Sequence, residues 1–231
     1  MLAFLQIKNS SNPQIIGTTN GVYQVEVDQS ALLEHENYNE IDRVFFSPFK
    51  DVVQFNNLAL KVTCQPIQAR LSKKSVITDL MGFSPYFLGC SFIISQKFLE
   101  CLREFGVNDD QFNVLPINIR GADISMYILY VSMIPLELID FRESLLIDAS
   151  NPYSKGVATI ESYQEFRNGQ ESGVFFEFQK ICIPEKFQRE SILNLQAESN
   201  LFFSEELVRF LLTKDISGFE ILKRQTELIF N

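Results

Sequence analysis

Several residue types that carry common enzyme chemistry are scarce or absent in this chain. Its 231 residues include no tryptophan and a single histidine, His35, which lies between Glu34 and Glu36. A Ser-His or Cys-His mechanism needs a base beside a nucleophile, so any such mechanism would have to use this one imidazole. No GxSxG sequence occurs. We therefore predict that His35 is exposed and not catalytic.

Metal and nucleotide motifs are also missing. The four cysteines, Cys64, Cys90, Cys101 and Cys182, are too scattered for a CxxC zinc site and too few to cross-link a chain of this length. Each lies among apolar neighbours, which predicts buried thiols. The ten glycines form neither a Walker loop nor GxGxxG. The sequence predicts no metal site and no cofactor, and it leaves an all-carboxylate site open.

Long apolar runs are absent as well. No run approaches the roughly 20 residues that a membrane helix needs. The first eight residues carry neither a basic leader nor a small-residue cleavage site. We expect a soluble, cytoplasmic protein.

Basic side chains are outnumbered by acidic ones. Twenty Lys and Arg against 29 Asp and Glu give a net charge of −9, which repels phosphate backbones and anionic membranes and predicts neither as a partner. Between Asp28 and Asp42 the acidic residues meet no Lys or Arg. We take Glu34, Glu36, Glu40 and Asp42 as a candidate surface for a basic partner; the alternative is a solvated acidic loop or helix.

Phenylalanine is abundant. The chain has 22 Phe, many in short runs with Ile, Leu and Val that are typical of strands, so we expect a Phe-rich core. We predict strands at 4–8, 21–27, 43–46, 52–55, 58–63, 112–119, 126–131, 136–140, 144–147, 157–163, 174–183 and 219–222, and a short helix at 75–81.

One local pattern occurs twice. A short apolar run ends in Ser95 and another in Ser204, and each serine is followed by apolar residues three, four and seven positions later. This spacing predicts a strand that leads into a serine-capped helix with one buried face. Gly106 predicts the end of the first helix. The two copies are too far apart for a tandem repeat, and an internal duplication stays open.

These elements predict an α+β fold. Many strands with few helices between them argue against regular βαβ winding, so we expect mostly antiparallel sheets with a few short amphipathic helices, including the two similar strand-Ser-helix units. Residues 1–84 are predicted as a β-rich N-terminal region, which is either a separate lobe or part of the same domain as residues 85–231.

The segment 199–222 resembles the closing signature of a family of bacterial immunity proteins of polymorphic toxin systems. That signature is a strand, Ser-Glu, an amphipathic helix and a Gly-aromatic turn into a last strand. The segment 92–105 is similar to the family's middle strand-Ser-helix. The segment 127–131 with Asp140 and Ser144 is similar to a strand pair that carries Ile-Asp-x-x-x-Ser. The resemblance spans residues 75–222 and implies an α+β region at 85–231. The long 151–173 region and the Phe-rich strand after it depart from the family.

The resemblance implies inhibition by binding. It implies a cytoplasmic, non-enzymatic protein that neutralises a cognate toxin by blocking its active site or substrate path. A basic toxin domain, such as a nuclease, would be steered towards an acidic surface. Two alternatives stay open: a carboxylate-based hydrolase, which a pocket with two buried acids would favour, and a ligand-binding or scaffold module. The sequence leaves the oligomeric state open.

Overall fold

The computed structural model describes residues 3–18, 23–151, 153 and 156–231, and these residues form 16 strands and seven α-helices. The strands are β1 Phe4–Asn9, β2 Val25–Val27, β3 Ile67–Leu71, β4 Leu80–Met81, β5 Phe83–Ser84, β6 Cys90–Ser95, β7 Phe112–Arg120, β8 Met126–Val131, β9 Met133–Ile134, β10 Leu145–Asp148, β11 Gly156–Ala158, β12 Phe176–Ile183, β13 Ile192–Leu195, β14 Leu201–Ser204, β15 Phe219–Ile221 and β16 Glu227–Phe230. The helices are α1 Pro13–Ile16, α2 Gln29–Leu33, α3 Tyr38–Phe45, α4 Val52–Ala59, α5 Gln96–Phe105, α6 Tyr163–Glu171 and α7 Glu205–Thr213.

The strands form three sheets. Their orders are β4-β6-β8-β7-β3-β2-β5, β15-β1-β14-β13-β9 and β11-β10-β12-β16, and most strand pairs are antiparallel. The predicted α+β class is confirmed. Strands from residues 1–84 pair with strands from residues 85–231, since β1 lies between β14 and β15 and β3 pairs with β7. No helix among the described residues is long and apolar enough to cross a membrane.

The strands predicted at 43–46, 52–55 and 58–63 are wrong, because these residues belong to α3, to α4 and to the turn after it. Asp51 explains the start of α4: its carboxylate accepts hydrogen bonds from the N–H groups of Val53 and Gln54 at 2.8 and 3.1 Å. Such a cap favours a helix over the strand that Val and Phe would otherwise prefer.

Three further predictions need correction. The helix predicted at 75–81 is wrong: the segment is irregular before β4, because the N–H groups of Val76 and Leu80 bond to distant carbonyls of Ile16 and Ser217 rather than to a local helix. The segment 136–140 begins with a 3₁₀ turn rather than a strand. The strand predicted to run from 157 to 163 ends at Ala158, and α6 begins soon after, capped by Ser162.

Both strand-Ser-helix units are present. The N–H of Phe98 donates to Ser95 Oγ at 3.1 Å, and the N–H of Leu207 donates to Ser204 Oγ at 3.2 Å. The apolar residues that follow each serine are buried: Phe98, Leu99 and Leu102 in α5, and Leu207, Val208 and Leu211 in α7. Each such side chain contributes about 1.5–3 kcal/mol through burial.

The likeness of the two units extends to strand order. In the first unit β6 and β7 flank the antiparallel strand β8, and in the second β14 and β15 flank β1 in the same way. The strands β4 and β13 take the same place on the outer side of β6 and β14. The equivalent backbone hydrogen bonds are Ser95 N–H to Asp79 O and Ser204 N–H to Ser191 O, both 2.9 Å, and Gln96 N–H to Ser125 O (3.0 Å) and Glu205 N–H to Ala3 O (2.8 Å). The second unit thus takes its central strand from the other end of the chain.

The two units pack against each other. The helices α5 and α7 share one apolar cluster, in which the ring centroids of Phe105 and Phe210 lie 5.4 Å apart. At the joint, Asp79 accepts hydrogen bonds from Ser217, and Gly218 has φ +88°. A Cβ atom on Gly218 would overlap the carbonyl oxygen of Leu80, so the close approach of the units requires glycine here.

Candidate interaction surface

The acidic stretch folds into α2, a turn and α3. Asp28 begins α2, because its carboxylate accepts hydrogen bonds from the N–H groups of Ser30 and Ala31, both at 3.1 Å. Helix α3 buries Ile41, Val44 and Phe45 at helical spacing. The packing of these side chains fixes the direction of the opposite, solvent-facing side of α3.

The four candidate residues do not share one environment. Glu34 and Glu36 are exposed in the turn between the helices, whereas Glu40 and Asp42 are partly buried on α3. Burial and the charge of the nearby Glu40 raise the pKa of the Cys64 thiol to about 11, so Glu40 lies near Cys64. Among the described residues none of the four acids forms an ion pair.

Asp42 lies in an apolar groove. The groove has a volume of about 310 Å³ and is lined by Gln29, Leu32, Leu33, Tyr38, Asp42, Phe46 and Pro85. The side chain of Leu33 is 62% exposed and that of Phe46 37%. The hydroxyl of Tyr38 donates to Asp42 Oδ1 at 3.2 Å. Burial, followed by the charge of Asp42, raises the pKa of Tyr38 above its ordinary value.

We call the α2–α3 surface the patch made of these groove residues and the two exposed acids beside them: Leu33, Glu34, Glu36, Tyr38, Asp42 and Phe46. An apolar centre with a charged rim is the common arrangement of protein interfaces. The sequence indicated the acids but missed the groove. Tyr38, Asp42 and Phe46 are spaced four residues apart, which is typical of one face of a helix. The strand predicted at 43–46 conflicts with this spacing, so the groove was not predicted.

His35 has a structural role. Its Nε2 lies 3.1 Å from the carbonyl oxygen of Gln65, and its Nδ1 accepts a hydrogen bond from the N–H of Asn37 at 3.1 Å. Both ring nitrogens are therefore bonded to backbone groups, with the hydrogen on Nε2. The side chain is half-buried rather than exposed as predicted.

The cysteines and the possible metal ligands are the remaining candidate functional side chains. Cys90, Cys101 and Cys182 are buried free thiols, as predicted, whereas Cys64 is a free thiol that is only half-buried. Among the described residues no three His, Cys, Asp or Glu side chains converge as metal ligands.

The hydrolase alternative needs a pocket with two buried acids. A cavity of about 260 Å³ between β9, β13 and the turn before β6 contains Glu198 as its sole carboxylate among the described lining residues. Burial and, to a smaller extent, the nearby charge of Glu177 raise the pKa of Glu198, although hydrogen bonds from Thr226 and Gln6 oppose that rise. The described lining of this cavity therefore holds one of the two carboxylates that paired acid-base hydrolysis uses.

Comparisons with protein-family models, with curated proteins and with solved structures found no match to this chain.

Proposed function

We propose that this protein is a cytoplasmic immunity protein that neutralises a basic toxin by binding it through the α2–α3 surface. The observation that carries the proposal is the apolar groove, which contains the Asp42 carboxylate and whose lining residue Leu33 is followed in sequence by the exposed acids Glu34 and Glu36. Exposed apolar groups such as Leu33 and Phe46 favour burial by a partner. Glu34, Glu36 and Asp42 form no ion pair within the part of the chain that the structure describes, and their charges favour a partner of opposite sign.

The sequence resemblance to immunity proteins supports the same proposal independently of the groove. Its motifs lie in the strand-Ser-helix units, which form the scaffold, whereas the α2–α3 surface belongs to residues 28–46, outside the resemblance. A shared scaffold with an unshared binding surface suits a protein that must recognise one particular toxin.

Co-expression with the toxin tests the proposal. The toxin would be sought in the gene beside this one and by affinity capture from the native host, and then expressed in a sensitive bacterium. We expect cells to survive with the wild-type protein and to die with the variant Glu34→Lys/Glu36→Lys. The matched control is Asp123→Lys/Glu137→Lys, which changes the charge equally at exposed positions elsewhere.

The proposal fails if cells die as fast with the wild-type protein as without it. The binding surface alone is wrong if both double variants protect equally. Unfolding curves for both variants ensure that lost protection does not reflect lost folding.

A further inference from the structure

The groove of the α2–α3 surface combines two kinds of wall. Leu33 and Pro85 supply aliphatic contact, Tyr38 and Phe46 supply aromatic rings, and the Asp42 carboxylate adds one negative charge. An apolar side chain placed there would remove water from Asp42 without replacing its hydrogen bonds, which is unfavourable. The occupant must therefore be apolar along its length and supply a hydrogen-bond donor where it meets Asp42, and a cationic donor makes the strongest such bond.

The neighbouring groove shows how this chain satisfies a similar carboxylate. It shares Gln29 and Pro85 with the first groove and contains Glu26 and Arg70. There Arg70 Nε and Nη2 donate to Glu26 Oε2 at 3.0 and 2.8 Å. Among the described residues Asp42 has no such cation, and its side chain accepts one hydrogen bond, from the Tyr38 hydroxyl.

We propose that the groove receives an arginine side chain of a partner protein, with the guanidinium at Asp42 and the aliphatic stem along Leu33. Arginine suits the groove better than lysine for three reasons. Its planar group stacks on aromatic rings such as those of Tyr38 and Phe46. It is less strongly hydrated than an ammonium, and it binds a carboxylate through two parallel hydrogen bonds.

Charge complementarity identifies the occupant. The segment from Asp28 to Asp42 contains no Lys or Arg, and the net charge of the chain is −9. Arg43 follows Asp42 in sequence but is not among the residues that line the groove. The inference rests on the proposed function only in assigning the arginine to another protein; the groove's preference for arginine can be measured without that protein.

The experiment is a titration with N-acetyl-arginine amide, followed through the backbone amide NMR signals of residues 29–46. A ligand of this size at ordinary efficiency binds with a Kd of about 1 mM or weaker. We expect saturable shifts centred on Leu33, Tyr38 and Phe46. N-acetyl-lysine amide should bind more weakly, and N-acetyl-citrulline amide, which has nearly the same shape without the charge, should bind at least about tenfold more weakly.

Two variants identify the carboxylate. Asp42→Asn should weaken binding of the arginine probe about tenfold or more, because it removes the charge-assisted hydrogen bonds. Asp123→Asn, the same change at an exposed residue elsewhere, should leave it unchanged. Amide spectra without ligand show that both variants are folded.

Three results would overturn the assignment: shifts that do not saturate, equal binding of the citrulline probe, or equal loss in both variants. Shifts of the same amides with protein concentration alone would assign the groove to a second copy of this chain and overturn the heterologous partner. Because the probe is a small molecule, the groove can pass this test when no toxin is found. Conversely, the groove can fail the arginine titration even if the protein protects cells, in which case the toxin binds through other residues.

Discussion

At the scale of single residues, the Asp79 side chain links the two strand-Ser-helix units. Its Oδ1 accepts from the Ser95 hydroxyl at 2.7 Å, and its Oδ2 accepts from the Ser217 N–H at 2.9 Å and the Ser217 hydroxyl at 2.8 Å. Desolvation raises the pKa of Asp79, but these hydrogen bonds and the charge of Lys97 outweigh it and hold the pKa below its ordinary value. One carboxylate therefore stabilises the start of α5 and the turn before β15 together.

We predict that Asp79→Asn lowers the free energy of unfolding by about 1–3 kcal/mol at neutral pH, because an amide would place its NH₂ against a donor. A depressed pKa stabilises the fold above the unfolded-state pKa of about 4 and loses that contribution as pH falls through the folded pKa. The difference between wild type and variant should therefore shrink in acid. Urea unfolding at several pH values measures it, with Asp123→Asn as the control.

At the scale of secondary-structure elements, the serine caps of α5 and α7 differ in their hydrogen bonds. Ser95 and Ser204 occupy equivalent positions, but the Ser95 hydroxyl also donates to Asp79, whereas the Ser204 hydroxyl donates to no acceptor among the residues that the structure describes. A lost cap costs about 0.5–2 kcal/mol. We predict that Ser204→Ala falls in this range and that Ser95→Ala costs more by about 1 kcal/mol, the usual value of one further hydrogen bond.

Equilibrium unfolding of both alanine variants checks this order, provided that the denaturant m-values stay equal. Equal losses would show that the bond to Asp79 contributes nothing beyond the cap. A threonine at each position keeps the hydroxyl and serves as the control.

Elements with a local cause could be predicted from the sequence, and those with a distant cause could not. The two serine caps and the strands β7, β8 and β12 follow from spacing and composition within the segment itself. Helix α4 was not predicted, because Val and Phe favour strands in so short a window. The helix forms because Asp51 caps it and because its apolar side chains are buried against the sheet. The role of β1 as the central strand of the second unit depends on pairing across nearly the whole chain, which no local pattern contains.

The candidate surface shows the same division. Charge is a property of the sequence, so the acids at 34, 36, 40 and 42 could be identified directly. Their grouping could not: Glu40 turns towards Cys64, while Asp42 enters the groove with Tyr38 and Phe46. The direction of each side chain depends on the helical phase of α3, which is fixed by the burial of Ile41, Val44 and Phe45.

The field of the whole molecule governs how a partner arrives. With a net charge of −9 the chain attracts a basic protein from any direction, and Glu34 and Glu36 add a local excess beside the groove. Charges at the rim of an interface act mainly on the association rate, and salt screens them over about 10 Å at 0.1 M. The effect of these two acids on the association rate should therefore be measurable at low ionic strength and disappear at high ionic strength.

We predict that Glu34→Lys/Glu36→Lys slows association with the cognate toxin about tenfold or more at low salt and changes the dissociation rate little. Stopped-flow mixing across a series of NaCl concentrations measures both rates. The variant Asp123→Lys/Glu137→Lys changes the net charge equally at other exposed sites, so it isolates the effect of position from that of total charge. If both double variants slow association to the same extent, the toxin responds to the overall field and docks elsewhere; if only the first does, the partner approaches through the α2–α3 surface.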